Sequence, residues 1–240
     1  MLDAAIKALT QMVSPPFRAV LGKAIGLALV LIVAIGIAVQ RLLVWLATAG
    51  ESWAESWLGA AAHTPLEILS WILAIAAGLG ILVGSIFLMP AVTALVGSFF
   101  VDEIAFEVER THYPNEPPGT ALPLRVAVIE GVKTASLAVL VYIIAVPFLL
   151  FAGAGVVIFF IATAWLLSRE YFELAAMRFH PVAEAKALRK ANQSTVFTAG
   201  LFIAAFVSIP IVNLATPLFA MAMMVHMHKR IASRSLMATR

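Results

Sequence analysis

The sequence contains no cysteine. Disulfides, thiolate-bound zinc and a cysteine nucleophile are therefore excluded, and the redox compartment cannot be read. Charge is almost as scarce: 12% of residues are charged, against about 25% in soluble domains. A globule of 240 residues with so few charges could not cover its surface with polar groups. The net charge of +3 gives no basic face large enough for nucleic acid. Residues 1–16 contain Asp3, Lys7 and Pro15-Pro16 but no apolar core followed by a cleavage site, so no cleavable leader is expected. What is abundant is apolar: 62% of residues are hydrophobic and the mean hydropathy is +1.01. Such a chain needs lipid as its solvent.

Catalytic constellations are missing as well. No Ser/His/Asp set, paired acids in a polar cleft or phosphate loop can be found, so neither an enzyme nor a cofactor is expected. Gly153-Ala154-Gly155 lacks the third glycine and the βαβ context of a dinucleotide fingerprint. His226 and His228 stand at i and i+2 and do not share a helix face, which argues against a metal site.

The residues order themselves into apolar runs separated by polar segments. Residues 3–13 form a short amphipathic helix, with Ile6, Leu9, Met12 and Val13 on its apolar side. Ser14-Pro15-Pro16 ends it and starts the next: Ser is a good N-cap and Pro suits the first helical position. No charge occurs between Lys23 and Arg41, enough for one bilayer span. Trp53, Trp57 and Trp71, near the polar residues 50–67, suit an interfacial belt. Three further uncharged runs follow, Ile68–Val101, Thr134–Ser168 and Ala191–Val225, each about 35 residues long with proline inside. One span needs about 20 residues, and two with a turn need more than 40.

In the first run Ile68–Met89 reads as a span, and Pro90 opens a second helix that exits as Phe99–Arg110. The other two read as hairpins of short helices that enter the membrane and return, bending at Pro147–Gly155 and at Pro210–Pro217. Irregular backbone at that depth is tolerated only inside protein or along a watery cavity. A Pro-rich loop (110–124) and an amphipathic segment (169–190), broken near His180-Pro181, connect them. Only residues 41–67 then lie on the far side. They hold one of the 16 basic residues and three of the 13 acids, which places both termini in the cytoplasm.

Two constellations carry chemistry. At Ser14-Pro15-Pro16-Phe17-Arg18 a helix start offers free N–H groups and a positive dipole end, with a guanidinium in the first turn; together these suit an oxyanion. The alternative is an ordinary juxtamembrane arginine. In Pro210-Ile-Val-Asn213-Leu-Ala-Thr216-Pro217, Asn213 is the one strongly polar side chain in a long apolar stretch. Its amide must find partners, either by tying the two arms together or by lining a pore. Arg169, Glu170 and Glu173, like Glu107, Glu109 and Arg110, read as ion-paired helix ends.

The segments AWLLSREYFELAAMRFHP (Ala164–Pro181), KALRKANQSTVFTAG (Lys186–Gly200) and IPIVNLATPLFAMAMMV (Ile209–Val225) resemble the C-terminal half of the CysZ family of bacterial sulfate permeases. FFVDEIAFEVER (Phe99–Arg110) and ALTQMVSPPFRAVL (Ala8–Leu21) resemble its earlier parts in the same order. The resemblance implies an inner-membrane protein that takes up sulfate for cysteine synthesis. It also implies long spanning helices combined with shorter, partly penetrating ones. The family binds sulfate near the start of its first long helix, at a Gly-containing turn followed by two arginines. Arg18 matches the first arginine; Pro16 stands where the family has glycine, and Ala19 where it has the second arginine.

The expectation is thus an all-α integral membrane protein, one membrane-embedded domain over residues 1–240. It has two long transmembrane helices (about 17–48 and 68–110), two partly penetrating hairpins (about 126–168 and 191–228) and amphipathic interfacial helices. Its expected function is passage of sulfate or a related oxyanion across a bacterial inner membrane. The anion site comprises Ser14, Phe17, Arg18 and Ala19; the pathway bend comprises Pro210, Asn213 and Pro217. Sulfate, lipid and further copies of the chain are the expected partners, without nucleic acid, metal or cofactor. The competing reading is a non-transporting platform, an assembly factor or lipid-handling protein.

Overall fold

The computed structural model describes residues 2–58, 71, 72, 75, 78, 100–151, 153–209 and 212–238. Among them every regular element is helical and no strand occurs. The chain divides into two compact units, Met1–Gly22 with Gly97–Arg240, and Lys23–Val96.

In the first unit α1 (Leu2–Met12) is followed closely by α2 (Pro15–Leu58), whose first turns to Gly22 belong here. α1 buries its small face, Ala4, Ala5, Ala8 and Gln11. Leu2, Ile6, Leu9 and Val13 point outward. Of the apolar stripe legible in the sequence, Met12 packs partly buried against the core, while Ile6, Leu9 and Val13 do not.

α3 (Val101–His112) buries Ile104, Ala105 and Val108 and exposes Asp102 and Glu103. This is the division its periodicity predicts. It starts at Val101, after Phe100 in a turn with φ −99° and ψ 1°; Phe99 lies outside the described residues. The Pro-rich stretch after it is a loop up to Pro123, where α4 (Leu124–Ala145) begins.

Proline and glycine then set the bends. α4 tightens into a 3-10 turn, Val146–Leu150, containing Pro147, whose ring removes a helical donor. Gly153, at φ +77°, takes the left-handed conformation that reverses the chain, and α5 (Ala154–Met177) returns. Pro181 precedes α6 (Val182–Ala191). α7 (Gln193–Val207) leads through a second 3-10 turn, Val212–Ala215, into α8 (Thr216–Ala238), with Pro217 as its second residue.

The core centres on α8, which packs against α1, α3, α5 and α7. Leu218–Val225 is buried all round, as an entirely apolar helical stretch inside protein should be. α5 meets α7 at Gly200, where a Cβ would fall 2.3 Å from the Ala164 carbonyl oxygen. Small residues let the two backbones approach this closely.

The first hairpin bends where the sequence indicated; its first arm starts at Leu124, close to the expected 126, while its second arm runs past the expected 168 to Met177. α4 begins well before the uncharged run and α5 continues well past it, carrying Arg125, Glu130 and Lys133 at one end and Arg169, Glu170 and Glu173 at the other. Arms of 22 and 24 residues extend about 33–36 Å. Among the described residues three helical stretches are long and apolar enough to cross a membrane: Pro15–Gly50, Leu124–Phe148 and Ala154–Met177. Length therefore permits both arms to cross, whereas α7 is a shorter apolar helix.

In the second unit, α2 continues to Leu58 with most of its large apolar side chains exposed, among them Val30, Val33, Ile37, Leu42 and Trp45. An apolar helix left uncovered by protein is one to be covered by lipid. At 44 residues α2 is about 66 Å long, roughly twice the hydrocarbon thickness. The expected span at 68–89 and Pro90 lie largely outside the described residues; Trp71, Ile72 and Ile75 are helical and exposed.

Candidate functional site

The α1–α2 junction is built from backbone. Ser14 N–H donates to the Gln11 carbonyl (2.9 Å), closing α1, and the Ser14 carbonyl accepts from Arg18 N–H (3.0 Å), opening α2. Pro15 and Pro16 have no N–H. Of the donors that a helix start usually leaves free, the Phe17 N–H alone is without a partner among the described residues. The expected row of free amides is thus a single amide, because two prolines occupy the first turn.

The Phe17 side chain is buried, as is Val20. This anchors the turn and leaves Arg18 and Ala19 exposed on the other side. Among the described residues no ion pair or hydrogen bond holds the Arg18 guanidinium. A cation in a first turn faces the positive end of the helix dipole, the unfavourable end. Arg18 is thus an exposed, uncompensated charge beside a free N–H.

The second candidate is the bend around Asn213. The Asn213 N–H donates to the Ile209 carbonyl at 3.0 Å, so backbone ties this part of the bend. The partly buried Asn213 side-chain amide has no hydrogen-bond partner among the described residues. Pro217 is buried in the first turn of α8; Pro210 lies outside the described residues. No hydrogen bond or ion pair among the described residues joins Arg18 to Asn213.

Among the described residues the structure also assembles polar clusters whose distant partners no local pattern announced. In the first, Gln11 of α1 bridges two histidines. Its amide nitrogen lies 2.9 Å from His112 Nδ1 and its oxygen 3.2 Å from His226 Nε2. The other His226 nitrogen lies 2.9 Å from the Tyr113 hydroxyl. With Gln11 as placed, Tyr113 donates to His226, His226 to Gln11 and Gln11 to His112. Burial, with help from His112 and Lys7, lowers the His226 pKa to about 4. Burial likewise pushes the Tyr113 hydroxyl up to about 12. His228 faces away from this cluster, as its i+2 spacing requires. It stacks on Phe179 at 4.9 Å, both ring nitrogens lack partners, and burial lowers its pKa to about 4.

In the second cluster Arg178, 4% exposed, meets Glu109, 3% exposed. Arg178 Nε and Nη2 donate to the two Glu109 oxygens at 2.9 and 3.2 Å, and Nη1 donates to Asp102. Nη2 also reaches the Gly119 carbonyl at 3.2 Å, while Gly119 N–H donates to Glu109 at 2.9 Å. The clamp fixes the Pro-rich loop against the ends of α3 and α5. In the third, Glu173 lies between Arg189 (2.7 Å) and Arg169 (3.3 Å). Glu107 pairs with Arg110. Apart from Glu170, which has no ion pair among the described residues, these groups are ion-paired, as the sequence suggested; the partners, 16 to 76 positions away in the long-range pairs, were not legible.

Helices of this length and apolarity, on a core of small and apolar residues, define an α-helical membrane protein. The family can also be named: the chain belongs to the Sulfate transporter CysZ/Etoposide-induced protein 2.4 family, whose family model matches residues 4–217. The match takes in the α1–α2 junction and the Asn213 bend and ends at Pro217. No curated protein matches the sequence.

Proposed function

We propose that this chain is a permease for sulfate or a related oxyanion in a bacterial inner membrane, serving sulfur assimilation, and that it performs no catalysis of its own. The observation that carries the reading is Arg18: within a sulfate-transporter family match, an exposed guanidinium without a partner stands one turn into α2 beside the free Phe17 N–H. A dianion leaves water only where donors replace its hydration. Arg18 supplies a planar fork that fits an oxyanion, and the anion in turn offsets the unfavourable dipole interaction of the arginine. One guanidinium and one amide do not complete a dianion site, so a further copy of the chain supplies the remaining donors. With Ala19 in place of a second cation, the site binds weakly and releases readily, which conduction needs. Asn213, with its amide unpaired at a bend, lines the path.

Radiolabelled sulfate uptake into liposomes, with competing oxyanions, tests this reading. Arg18→Ala should lower sulfate affinity about tenfold or more, the loss of a charge-assisted donor. Arg18→Lys should recover part of it, and Ala19→Arg should tighten binding. Equal affinity in wild type and Arg18→Ala would remove the site. Absence of any oxyanion flux would favour the non-transporting platform, a reading left open because the family description also includes Etoposide-induced protein 2.4.

A further inference from the structure

A groove of about 520 Å³ lies between α5 and α7, lined by Ile158, Ile161, Ala162 and Trp165 from α5 and by Gln193 and Phe197 from α7. The α5 residues follow at i, i+3, i+4 and i+7, one continuous stripe on a helix long and apolar enough to cross a membrane. Along α5 the stripe changes character. It is aliphatic at Ile158–Ala162, reaches an indole at Trp165, and one turn later meets a cation. The Arg169 guanidinium lies over the Trp165 ring, 5.9 Å from its centroid.

Arg169 does not stand alone. It shares the single carboxylate of Glu173 with Arg189, and both approach it through Nε, at 3.3 and 2.7 Å. Two guanidiniums with one carboxylate leave a net positive charge. Their terminal amino groups have no hydrogen-bond partner among the described residues. Apolar wall, then tryptophan, then surplus guanidinium donors is the order of chemistry along a phospholipid from acyl chain through glycerol to phosphate. Tryptophan favours the headgroup level of a bilayer, and guanidinium pairs match phosphate oxygens with two parallel hydrogen bonds.

We propose that this groove binds one anionic phospholipid, an acyl chain lying along Ile158–Trp165 and the phosphate held by Arg169 with Arg189. A zwitterionic lipid fills the apolar part equally well but brings its own cation to the arginines, so headgroup charge is what the site selects.

Native mass spectrometry of the full chain in detergent, titrated with phosphatidylglycerol or with phosphatidylcholine of the same acyl chains, tests this. One phosphatidylglycerol should be retained at concentrations at least tenfold below those needed for phosphatidylcholine. Arg169→Gln should bring phosphatidylglycerol down to the phosphatidylcholine level; Glu173 keeps Arg189, so the fold should survive. Ala162→Phe, which fills the groove without touching a charge, should weaken retention of phosphatidylglycerol about tenfold. Equal retention of the two lipids by wild type overturns the proposal, as does unchanged preference in Arg169→Gln. Full retention in Ala162→Phe, or displacement of the lipid by millimolar inorganic sulfate, would show a free anion site instead. A chain-to-chain contact that hides Ala162→Cys from a thiol reagent would assign the groove to a second copy.

Discussion

Replacing Arg178 by methionine tests the clamp on the Pro-rich loop. The substitution keeps an unbranched side chain of similar length and removes four donated contacts: two to Glu109, one to Asp102 and one to the Gly119 carbonyl. The contributions are unequal. The Asp102 side chain is 50% exposed, and an ion pair with so solvated a partner contributes at most about 1 kcal/mol. Glu109 decides the outcome, because it is 3% exposed and keeps only the Gly119 N–H once the guanidinium is gone. Breaking a buried pair from one side costs about 3–5 kcal/mol. For a chain of this size that corresponds to a fall in melting temperature of roughly 10 °C.

The assay is thermal unfolding in detergent by circular dichroism at one fixed scan rate, so that irreversible unfolding would affect wild type and variants alike. The double variant Arg178→Met/Glu109→Gln removes both charges, and glutamine can still accept from Gly119. It should recover a substantial part of the loss, since most of the penalty is an orphaned charge. A single variant within about 1 kcal/mol of wild type would refute the reasoning. So would a double variant no better than the single.

Gly200→Ala should destabilise by about 1–3 kcal/mol, because the new Cβ would lie 2.3 Å from the Ala164 oxygen and 2.4 Å from Ser168 Cβ; Ser168→Gly in the same chain should restore part of the melting temperature. Stability should fall as pH drops from about 6.5 toward 4, because the unfolded chain takes up protons that folded His226 and His228, with pKa values lowered to about 4, refuse. His228→Phe should flatten that slope between pH 7.5 and 5, and an unchanged slope would exclude His228 as a contributor. Asn213→Ala should leave the melting temperature within experimental error, since its amide has no partner among the described residues, and should lower oxyanion flux; the reverse outcome would make Asn213 a structural tie.

The bends were legible because their causes are local. Pro147 and Gly153 act on their own backbone, Pro181 on the helix after it, and Pro217 begins one. The periodicity of Val101–His112 was legible for the same reason: one helix and one face settle it. The full length of the second arm of the first hairpin was not. Counting uncharged residues stops at Arg169, but a helix continues through charged residues when partners receive them, as the first arm does too. Here Glu130 is held by Lys133 and Lys186, and Glu173 by Arg169 and Arg189. At the proposed anion site the sequence placed Arg18 and Phe17 at a helix start. That Phe17 is buried while Arg18 stands exposed without a partner required the packing of the rest of the first unit.

By itself the sequence determined the solvent of this protein, its helical class and the places where its chain turns. Charge scarcity, apolar runs and proline stiffness act on each segment separately, so they need no knowledge of neighbours. Only the tertiary structure decided which polar groups would meet. Gln11 finds His112 and His226, Arg178 finds Glu109, and Glu173 takes two arginines, because a group that leaves water must be paired. The choice of partner depends on which helix faces pack together. The same packing turned the large apolar residues of α1 outward: its alanines allow close approach to α8, and lipid, unlike water, imposes no cost on the exposed Leu2, Ile6, Leu9 and Val13.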